Sequence, residues 1–492
     1  MTSVSRKMAK GAAWMVLFRL TDRIIGLVNT LILARLLVPA DFGLVAMGMS
    51  VYAALEIMST FSFDLALIQN QQAQRRHYDT AWTFNVIFAL ANAAVLTALA
   101  VPVAAFFAEP RVEWIMCSLA LCAAISAFDN IGVVAFQKDL ELHKEFAYGI
   151  TRKLAAFTVT VTLAFLLQSY WALIAGMVTA RVSGLVLSYV LHPYRPRFSL
   201  AAAGESFHFS KWLLINNILI FINNRGIDFV IGKVLGPQAL GLYTVAYEVS
   251  NLPTTELVYP ISRAVFPGYS RLAGDRQALR AAFLQVISLI ALITVPAGIG
   301  IGLVAEPMVP VVLGQKWMDS VRLMQVLALF GVVRTLHGPT GSVYLAVGKP
   351  YLISYLHLLH IAVAVPMLIW LMSAFGIIGA PWAILVASAV SMQTNYVWVM
   401  RELEFPFSKL AEALWRPPAA AALMSVSGVW LQQMWPASGS SGQNVSRLLI
   451  LVIAGAAVYA VAILAFWRMA RCPDGAERTL LTLLKTRFLR RA

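Results

Sequence analysis

The first long apolar stretch of the chain, GAAWMVLFRLTDRIIGLVNTLILARLLVP, carries three charges within five residues: Arg19, Asp22 and Arg23. Residues three and four apart share one face of a helix, so the three charges form a polar stripe that Asn29 and Thr30 extend. An ionisable residue at the centre of a bilayer costs roughly 2.5–3.5 kcal/mol on insertion scales. The stripe must therefore face a wet cavity or other helices, and two arginines with one aspartate indicate an anionic ligand.

The rest of the composition is that of a membrane protein. The chain is 60% hydrophobic and 12% charged, with a mean hydropathy of +0.75, which a soluble fold cannot solvate. It contains no P-loop, HExxH or GxSxG pattern, so we expect neither a built-in ATPase nor a common hydrolase. The three histidines of the late helices have no close cysteine partner, and we expect no metal and no cofactor.

Hydropathy predicts an all-α polytopic protein with about fourteen transmembrane helices. The predicted spans are 11–38, 43–68, 80–107, 112–136, 146–168, 170–191, 209–235, 239–262, 279–305, 319–347, 351–373, 376–400, 414–434 and 446–468.

Lysine and arginine are distributed unevenly between the segments that connect these spans. With the N-terminus on the inner side, 27 of the 38 basic residues fall in inner segments or the helix ends next to them, and 4 in outer segments or the helix ends next to them. The positive-inside rule then places both termini in the cytoplasm and accounts for the net charge of +15 without any nucleic acid. The last residues, ERTLLTLLKTRFLRRA, are typical of a basic amphipathic helix on anionic lipid, or of a simple retention cluster of charges.

The chain also contains an internal repeat. At an offset of 198 residues, ILARLLVPADFGLVA matches VIGKVLGPQALGLYTVA, with Pro39 on Pro237 and Gly43 on Gly241. The offset spans six helices, an even number, so the two halves have the same orientation in the membrane. The predicted domains are a six-helix lobe (1–191), a cytoplasmic linker (192–210), a second six-helix lobe (211–400), two additional helices (401–469) and a basic cytoplasmic tail (470–492).

The repeat pairs the charged first helix with the seventh. The seventh span is also polar on one face, at Asn217, Asn224, Arg225 and Asp228. In transporters built from repeats the cargo site lies near the membrane midplane between the repeats. We therefore expect these two polar stripes to contribute to one cavity.

Several motifs now resemble a known family. The turn LLVPADFGLVAMGMS, the inner loop FQKDLELHKEFAYGITRK and the late loop YLAVGKPYLISY, in this order within fourteen spans, are similar to the polysaccharide-transport (Wzx, WzxC-like) branch of the multidrug/oligosaccharidyl-lipid/polysaccharide (MOP) exporter superfamily. The resemblance implies two pseudo-symmetric lobes in a V shape around a cationic cavity.

The resemblance also implies a function. It implies a flippase of the bacterial inner membrane that moves an undecaprenyl-pyrophosphate-linked oligosaccharide from the inner to the outer leaflet for exopolysaccharide or capsule, rather than O-antigen. The implied partners are this lipid-linked oligosaccharide, membrane lipids, and the polymerase and export machinery of the same polysaccharide pathway.

Arginine suits pyrophosphate because its planar fork gives paired, charge-assisted hydrogen bonds and stays protonated. The predicted pyrophosphate contacts are Arg19, Arg23, Arg225, Arg181 and Arg334. The predicted polar cavity residues, with the acids as candidates for coupling to a proton or sodium gradient, are Asp22, Asp228, Asn217, Asn224, Glu56 and Glu248. Each charge has an alternative interpretation as half of a structural ion pair, for example Asp22 with Arg19 or Arg23.

Three other functions remain open at this stage. A drug or metabolite antiporter of the same superfamily would need a cavity dominated by unpaired acids. A polysaccharide polymerase or ligase would need a sizeable polar outer loop, whereas the longest outer connections here are short and poor in acids. A channel is disfavoured by the repeat, and an ABC permease subunit is untested by the sequence.

Overall fold

A computed structural model describes residues 3–59, 67–68, 72–201, 211–435, 441–473 and 475–478. Within these ranges the side chains of 3–13, 58–59, 211–220 and 441, and of several positions between 222 and 264, are not described. The chain divides into two compact units, Met1–Gly241 and Leu242–Ala492. The predicted lobe boundaries stay predictions. Residues 202–210 of the predicted linker, and the part of the predicted basic tail beyond 478, lie outside the described residues.

The described chain is helical throughout, with short 3₁₀ turns and no strand, as an all-α polytopic protein requires. The helices are α1 Ser3–Leu36, α2 Pro39–Ser59, α3 Arg75–Phe107, α4 Arg111–Ser126, α5 Ala135–Lys138, α6 Leu142–Leu167, α7 Trp171–Leu191, α8 Lys211–Leu272, α9 Arg276–Val312, α10 Ser320–Ala346, α11 Tyr351–Phe375, α12 Gly379–Glu402, α13 Phe407–Leu414, α14 Arg416–Met434 and α15 Ser441–Met469.

Helices cover most of the described part of every predicted span. By length and hydropathy alone, eight segments of the described chain could cross a membrane, or nine if one bent pair counts as a span. These are Pro39–Ile57, Arg75–Phe107, Leu142–Leu167, Trp171–Leu191, Arg225–Leu252, Arg276–Val312, Tyr351–Glu402 and Gly442–Met469, with the bent pair Arg111–Ser126 and Ile131–Lys138. The protein is therefore a multi-pass membrane protein, and the number of fourteen crossings stays a prediction.

The fourth predicted span is not one straight helix. It breaks after Ser126, and the segment from Ile131 turns by 74°. Asn130 is fully buried at this break, where its side-chain oxygen accepts a hydrogen bond from the Gly132 amide at 2.9 Å. Its amide group donates to carbonyl oxygens at the end of α7, those of Ser188 at 3.3 Å and His192 at 3.3 Å. One side chain therefore caps the end of α7 and the start of the turn at Ile131, where backbone groups would otherwise lack partners.

The segment that follows α7 lies along the beginning of α3. The Tyr194 hydroxyl donates to Asp79 at 2.7 Å, the Arg197 amide donates to the same carboxylate at 2.9 Å, and the Ser199 amide donates to the Thr83 hydroxyl at 2.9 Å. Burial, and then the hydrogen bond to Asp79, raise the pKa of the Tyr194 hydroxyl above its ordinary value. The first ten residues of the predicted linker are thus fixed to the first unit.

The two turns of the sequence repeat contact each other. A Cβ at Gly43 would overlap the carbonyl group of Pro237, and a Cβ at Gly241 would overlap the carbonyl group of Pro39. The contact is reciprocal, as expected of two repeats related by a twofold axis. Only glycine permits this backbone approach. Gly236, with φ of 77°, separates the two halves of α8 immediately before this turn.

Candidate functional site

The helices of the first unit enclose a polar cavity of about 300 Å³. Its lining combines apolar residues with one acid and three basic side chains. The lining residues are Phe18, Asp22, Met49, Tyr52, Leu119, Cys122, Gly149, Arg152, Lys153, Ala156, Met177, Ala180 and Arg181. The cavity is therefore built by α1, α2, α4, α6 and α7.

Helix α1 reaches the cavity through Asp22, whose carboxylate lies 2.7 Å from the Lys153 ammonium of α6. Among the described residues the ion-pair partner of Asp22 is thus Lys153, rather than the neighbouring Arg19 or Arg23 of the alternative interpretation. Arg19 and Arg23 are half-buried on α1, are not among the residues that line the cavity, and take part in other interactions.

Helix α7 contributes Arg181. Its guanidinium donates to the Tyr52 hydroxyl at 3.1 Å and lies 3.8 Å from the Glu56 carboxylate. The Tyr52 hydroxyl in turn donates to Glu56 at 3.5 Å. Two predicted site residues, Arg181 and Glu56, are therefore brought together by a tyrosine that the sequence interpretation did not include.

Arg152 lies one residue before Lys153 on α6. Its guanidinium carbon is 5.5 Å from the centre of the Tyr148 ring, and its side chain packs where Gly184 of α7 leaves room. The carboxylate of Asp129, at the break after α4, is within electrostatic reach of both Arg152 and Arg181.

Sequence reasoning missed Arg152 and Lys153 as site residues. It counted both among the basic residues of the inner loop, but α6 begins at Leu142, so both lie about three turns inside the helix and line the cavity. The signal was present in the sequence. Tyr148 and Arg152 are four apart in the helix, the same spacing as Arg19 and Arg23 in the stripe on the first helix.

The predicted residues of the seventh span are placed only in part. Asp228 is buried, and its carboxylate lies 3.3 Å from the Arg225 guanidinium. The side chains of Asn217 and Asn224 lie outside the described residues. Glu248 is half-buried on the second half of α8, where it interacts with neighbouring groups. The ion-pair interpretation of Arg225 therefore has a structural basis.

The remaining predicted arginine, Arg334 of α10, lies in the second unit. It donates to the Tyr247 hydroxyl at 2.7 Å. Its guanidinium carbon also lies 5.8 Å from the ring centre of Tyr247 and 5.7 Å from that of Phe330. The Tyr243 ring is 6.0 Å from that of Tyr247. This arginine is thus held by aromatic faces and a hydroxyl, an environment that stabilises a cation without a carboxylate.

The first-unit cavity therefore combines two guanidinium groups and an ammonium group with a tyrosine hydroxyl. These groups donate paired, charge-assisted hydrogen bonds of the kind that bind phosphate. Among the described residues, no group of three or more His, Cys, Asp or Glu side chains is placed to hold a metal ion.

Comparison with known proteins finds relatives along most of the chain. The chain is 25% identical over 420 residues to the "Lipopolysaccharide biosynthesis protein WzxC" of Escherichia coli (strain K12), a match covering 84% of this chain and 85% of that protein. It is 23% identical to the "Succinoglycan biosynthesis transport protein ExoT" of Rhizobium meliloti (strain 1021), over 93% of this chain and 92% of that protein.

The fold has a solved counterpart. The structure of "Lipid II flippase MurJ, inward closed conformation" superposes with a TM-score of 0.72, covering 92% of this chain and 99% of that chain at 12% identity. At this identity the likeness shows a shared fold. A family model described as "Polysaccharide biosynthesis protein" matches residues 32–322, more than half of the chain. The chain belongs to the polysaccharide biosynthesis protein family.

Proposed function

We propose that this protein is a flippase, which moves an undecaprenyl-pyrophosphate-linked oligosaccharide from the inner to the outer leaflet of the bacterial inner membrane. The observation that carries the proposal is the first-unit cavity, in which Arg152, Lys153 and Arg181 line one space among apolar helices. A cation at membrane depth is costly unless it serves a ligand or a partner. Membership of a polysaccharide biosynthesis family makes a lipid-linked glycan the fitting anion.

The cargo has three chemically different parts, and the protein offers a surface of matching chemistry for two of them. The pyrophosphate matches the guanidinium and ammonium groups of the first-unit cavity. The glycan matches the half-buried Tyr247 beside Arg334, because sugar rings stack on tyrosine faces, whereas Tyr243 of the same cluster is buried. Arg19, Arg23 and Arg225 remain proposed phosphate contacts, which the arrangement described above does not test.

A cationic cargo, as for a drug antiporter, fits this cavity less well. The carboxylates in or beside the cavity form ion pairs with basic side chains. Asp22 lies 2.7 Å from Lys153, and Glu56 lies 3.8 Å from Arg181. A cation would have to displace a lysine or an arginine to reach either acid. We propose transport without covalent chemistry, because the cavity residues bind charge and no nucleophile with an adjacent base lies among the residues that line it.

The test is mass spectrometry of membrane lipids from cells that lack this protein but still make the glycan. We expect a polyprenyl-pyrophosphate oligosaccharide to accumulate and surface polysaccharide to be lost. Complementation with the wild-type gene should reverse both changes, whereas Arg152→Gln combined with Arg181→Gln should not, although the protein is present in the membrane. An unchanged lipid pool with altered efflux of small cations would instead support the antiporter.

A further inference from the structure

The second unit contains a larger cavity, of about 900 Å³, that the proposed function does not use. It is bounded by α9, α13, the start of α14 and the chain that follows α15. Lys409, Arg416 and Arg478 supply three basic side chains to its lining, and Glu412 supplies an acid. The described lining therefore carries more positive than negative charge.

The cavity lies at one end of two candidate membrane spans. Ala281, in its lining, is in the second turn of the span Arg276–Val312, and Pro473 follows the end of the span Gly442–Met469. Trp415, 43% exposed, is also in the lining, and tryptophan is enriched where headgroups meet hydrocarbon. This position corresponds to the depth of lipid headgroups, on the side that the positive-inside count predicts to be the inner one.

The chain after α15 forms a packed wall of this cavity. The Trp467 indole donates to the Pro473 carbonyl oxygen at 3.2 Å, and Ala476 is fully buried in the same hydrophobic core as Ala420 of α14. Glu477 is buried as well, with its carboxylate 3.1 Å from the guanidinium of Arg416. Burial and an ion pair therefore fix the shape of the site.

Arg416 is the unusual residue of the lining, because its side chain is only 4% exposed and its hydrogen-bonding capacity is not used. Although Glu477 is close, the Nε and Nη1 atoms of Arg416 donate no hydrogen bond among the described residues. Neither carboxylate oxygen of Glu477 accepts one there. Buried polar groups without partners are costly, so the site suits a ligand that both accepts and donates hydrogen bonds.

We propose that this cavity binds the headgroup of an anionic phospholipid, whose phosphate is bound by Arg416, Lys409 and Arg478. The phosphate oxygens accept hydrogen bonds from the basic groups, and the hydroxyl groups of a headgroup such as glycerol donate to carboxylates. Basic pockets between membrane helices on the cytoplasmic side are suited to anionic headgroups. The apolar lining, including Leu284 and Trp415, suits the less polar part of the lipid next to the headgroup.

The experiment is native mass spectrometry of the purified full chain in detergent, titrated with phosphatidylglycerol. The wild type should retain one tightly bound lipid. The double variant Lys409→Gln and Arg478→Gln should bind it about tenfold more weakly, because a basic residue at the membrane surface contributes about fivefold. Both side chains are exposed, and the Arg416 ion pair with Glu477 stays intact.

A variant of opposite sign sharpens the test. Glu412 lines the cavity and forms an ion pair with Lys409 at 3.0 Å. Glu412→Gln removes the acid and leaves the ammonium to the phosphate, so phosphatidylglycerol should bind about threefold more tightly. A merely structural role of these side chains predicts no gain. Arg401→Gln is the matched control, because Arg401 is an exposed arginine at the end of α12 outside the lining, and its affinity should equal that of the wild type.

The buried pair is tested by changing both of its members. Arg416→Gln with Glu477→Gln removes the guanidinium without leaving a lone buried carboxylate, and this variant should no longer retain the lipid. Thermal unfolding shows whether the double variant is folded. If it is not, the exposed pair Lys409→Gln and Arg478→Gln carries the test alone.

Two further ligands distinguish the sources of the phosphate. Phosphatidylethanolamine, which has no net charge, should be retained more weakly than phosphatidylglycerol, and inorganic phosphate at millimolar concentration should not displace the bound lipid. Displacement by inorganic phosphate, or equal lipid retention by the wild type and all variants, would overturn the lipid site. Pyrophosphate binding at the first-unit cavity is a separate measurement, so the failure of either proposal leaves the other in place.

Discussion

The two halves of this chain repeat a backbone contact but not an electrostatic environment. Gly43 meets Pro237 as Gly241 meets Pro39, so the repeated turns are interchangeable in shape. In each half an arginine binds a tyrosine, but the surroundings of these two arginines differ. Arg181 lies beside Tyr52 and a carboxylate, whereas the Tyr247 partner, Arg334, lies over two aromatic rings.

The difference indicates a division of labour. A guanidinium group that is balanced by a carboxylate can exchange that carboxylate for a phosphate at small electrostatic cost. A guanidinium group over aromatic rings is stabilised without an anion, and of the rings around Arg334 Tyr247 is half-buried whereas Phe330 is buried. The two repeated turns thus share a backbone geometry, while the surroundings of Arg181 and Arg334 differ.

The largest expected effect concerns the shared backbone contact. Gly43→Ala places a Cβ into the Pro237 carbonyl, so the backbone must move, at a cost of about 3 kcal/mol or more. We expect a large fall in the thermal unfolding temperature, and the same for Gly241→Ala. Gly300→Ala on α9 has open space around it and should be neutral or slightly stabilising. Equal unfolding temperatures of all three variants would contradict the close backbone contact between the two turns.

The next effect separates the two arginines. Arg181→Ala removes a charge-assisted contact to the phosphate, and we expect pyrophosphate binding to fall by about 10–100-fold. Arg334→Ala should leave pyrophosphate affinity within about twofold of the wild type, because its guanidinium lies in the aromatic cluster. It should instead weaken export of the complete lipid-linked glycan. Calorimetry measures the pyrophosphate affinity of the two variants, and an export assay measures transport of the lipid-linked glycan. Equal losses of pyrophosphate binding in the two variants would contradict the division of labour.

A smaller effect compares two ion pairs. Asp22 and Lys153 join two helices, so a double-mutant cycle of Asp22→Asn with Lys153→Met should give a coupling free energy of about 1 kcal/mol in thermal unfolding. Arg225 and Asp228 are three residues apart on one helix, and Arg225→Gln with Asp228→Asn should give about 0.3–0.5 kcal/mol. A larger coupling free energy for Arg225 and Asp228 than for Asp22 and Lys153 would contradict the expectation that the pair between two helices contributes more to stability.

The smallest effect tests the tyrosine hydroxyls. Tyr52→Phe removes a hydrogen bond that positions Arg181, so pyrophosphate affinity should fall by about fivefold, the equivalent of one ordinary hydrogen bond. Tyr247→Phe removes the matching hydroxyl beside Arg334 and should leave pyrophosphate affinity unchanged. The pair would falsify the comparison if Tyr247→Phe weakened pyrophosphate binding as much as Tyr52→Phe.

Much of the fold could be predicted from the sequence, because bilayer thickness and hydrophobic composition constrain where helices lie. The repeat, found from Pro39, Gly43 and their partners, predicted the same turn in both halves, whereas the reciprocal contact between the two turns was not predicted. The 74° break after Ser126 could not be predicted, because it depends on hydrogen bonds from Asn130 to residues 58 to 64 positions away. Hydropathy is continuous across that break.

The candidate site was harder to predict, for a related reason. Charges on a single helix can be assigned to a face, which is how Arg19, Asp22 and Arg23 were found. Which cation a carboxylate meets depends on helix packing, and Asp22 meets Lys153 of α6 rather than its own neighbours. The basic count also treated Arg152 and Lys153 as inner-loop charges, although both fell inside the predicted span 146–168, and the helix that begins at Leu142 places both at the cavity.

The most direct test of the account is a flipping assay with the purified protein in liposomes that contain an undecaprenyl-pyrophosphate-linked oligosaccharide in both leaflets. A membrane-impermeant oxidant of sugars, added outside, reports how much glycan reaches the outer leaflet. We predict that the wild type exposes nearly the whole glycan pool, and that the combined variant Arg152→Gln, Lys153→Gln and Arg181→Gln leaves the inner pool protected, as in empty liposomes. Protection of the inner pool by liposomes that contain folded wild-type protein would contradict the proposed function.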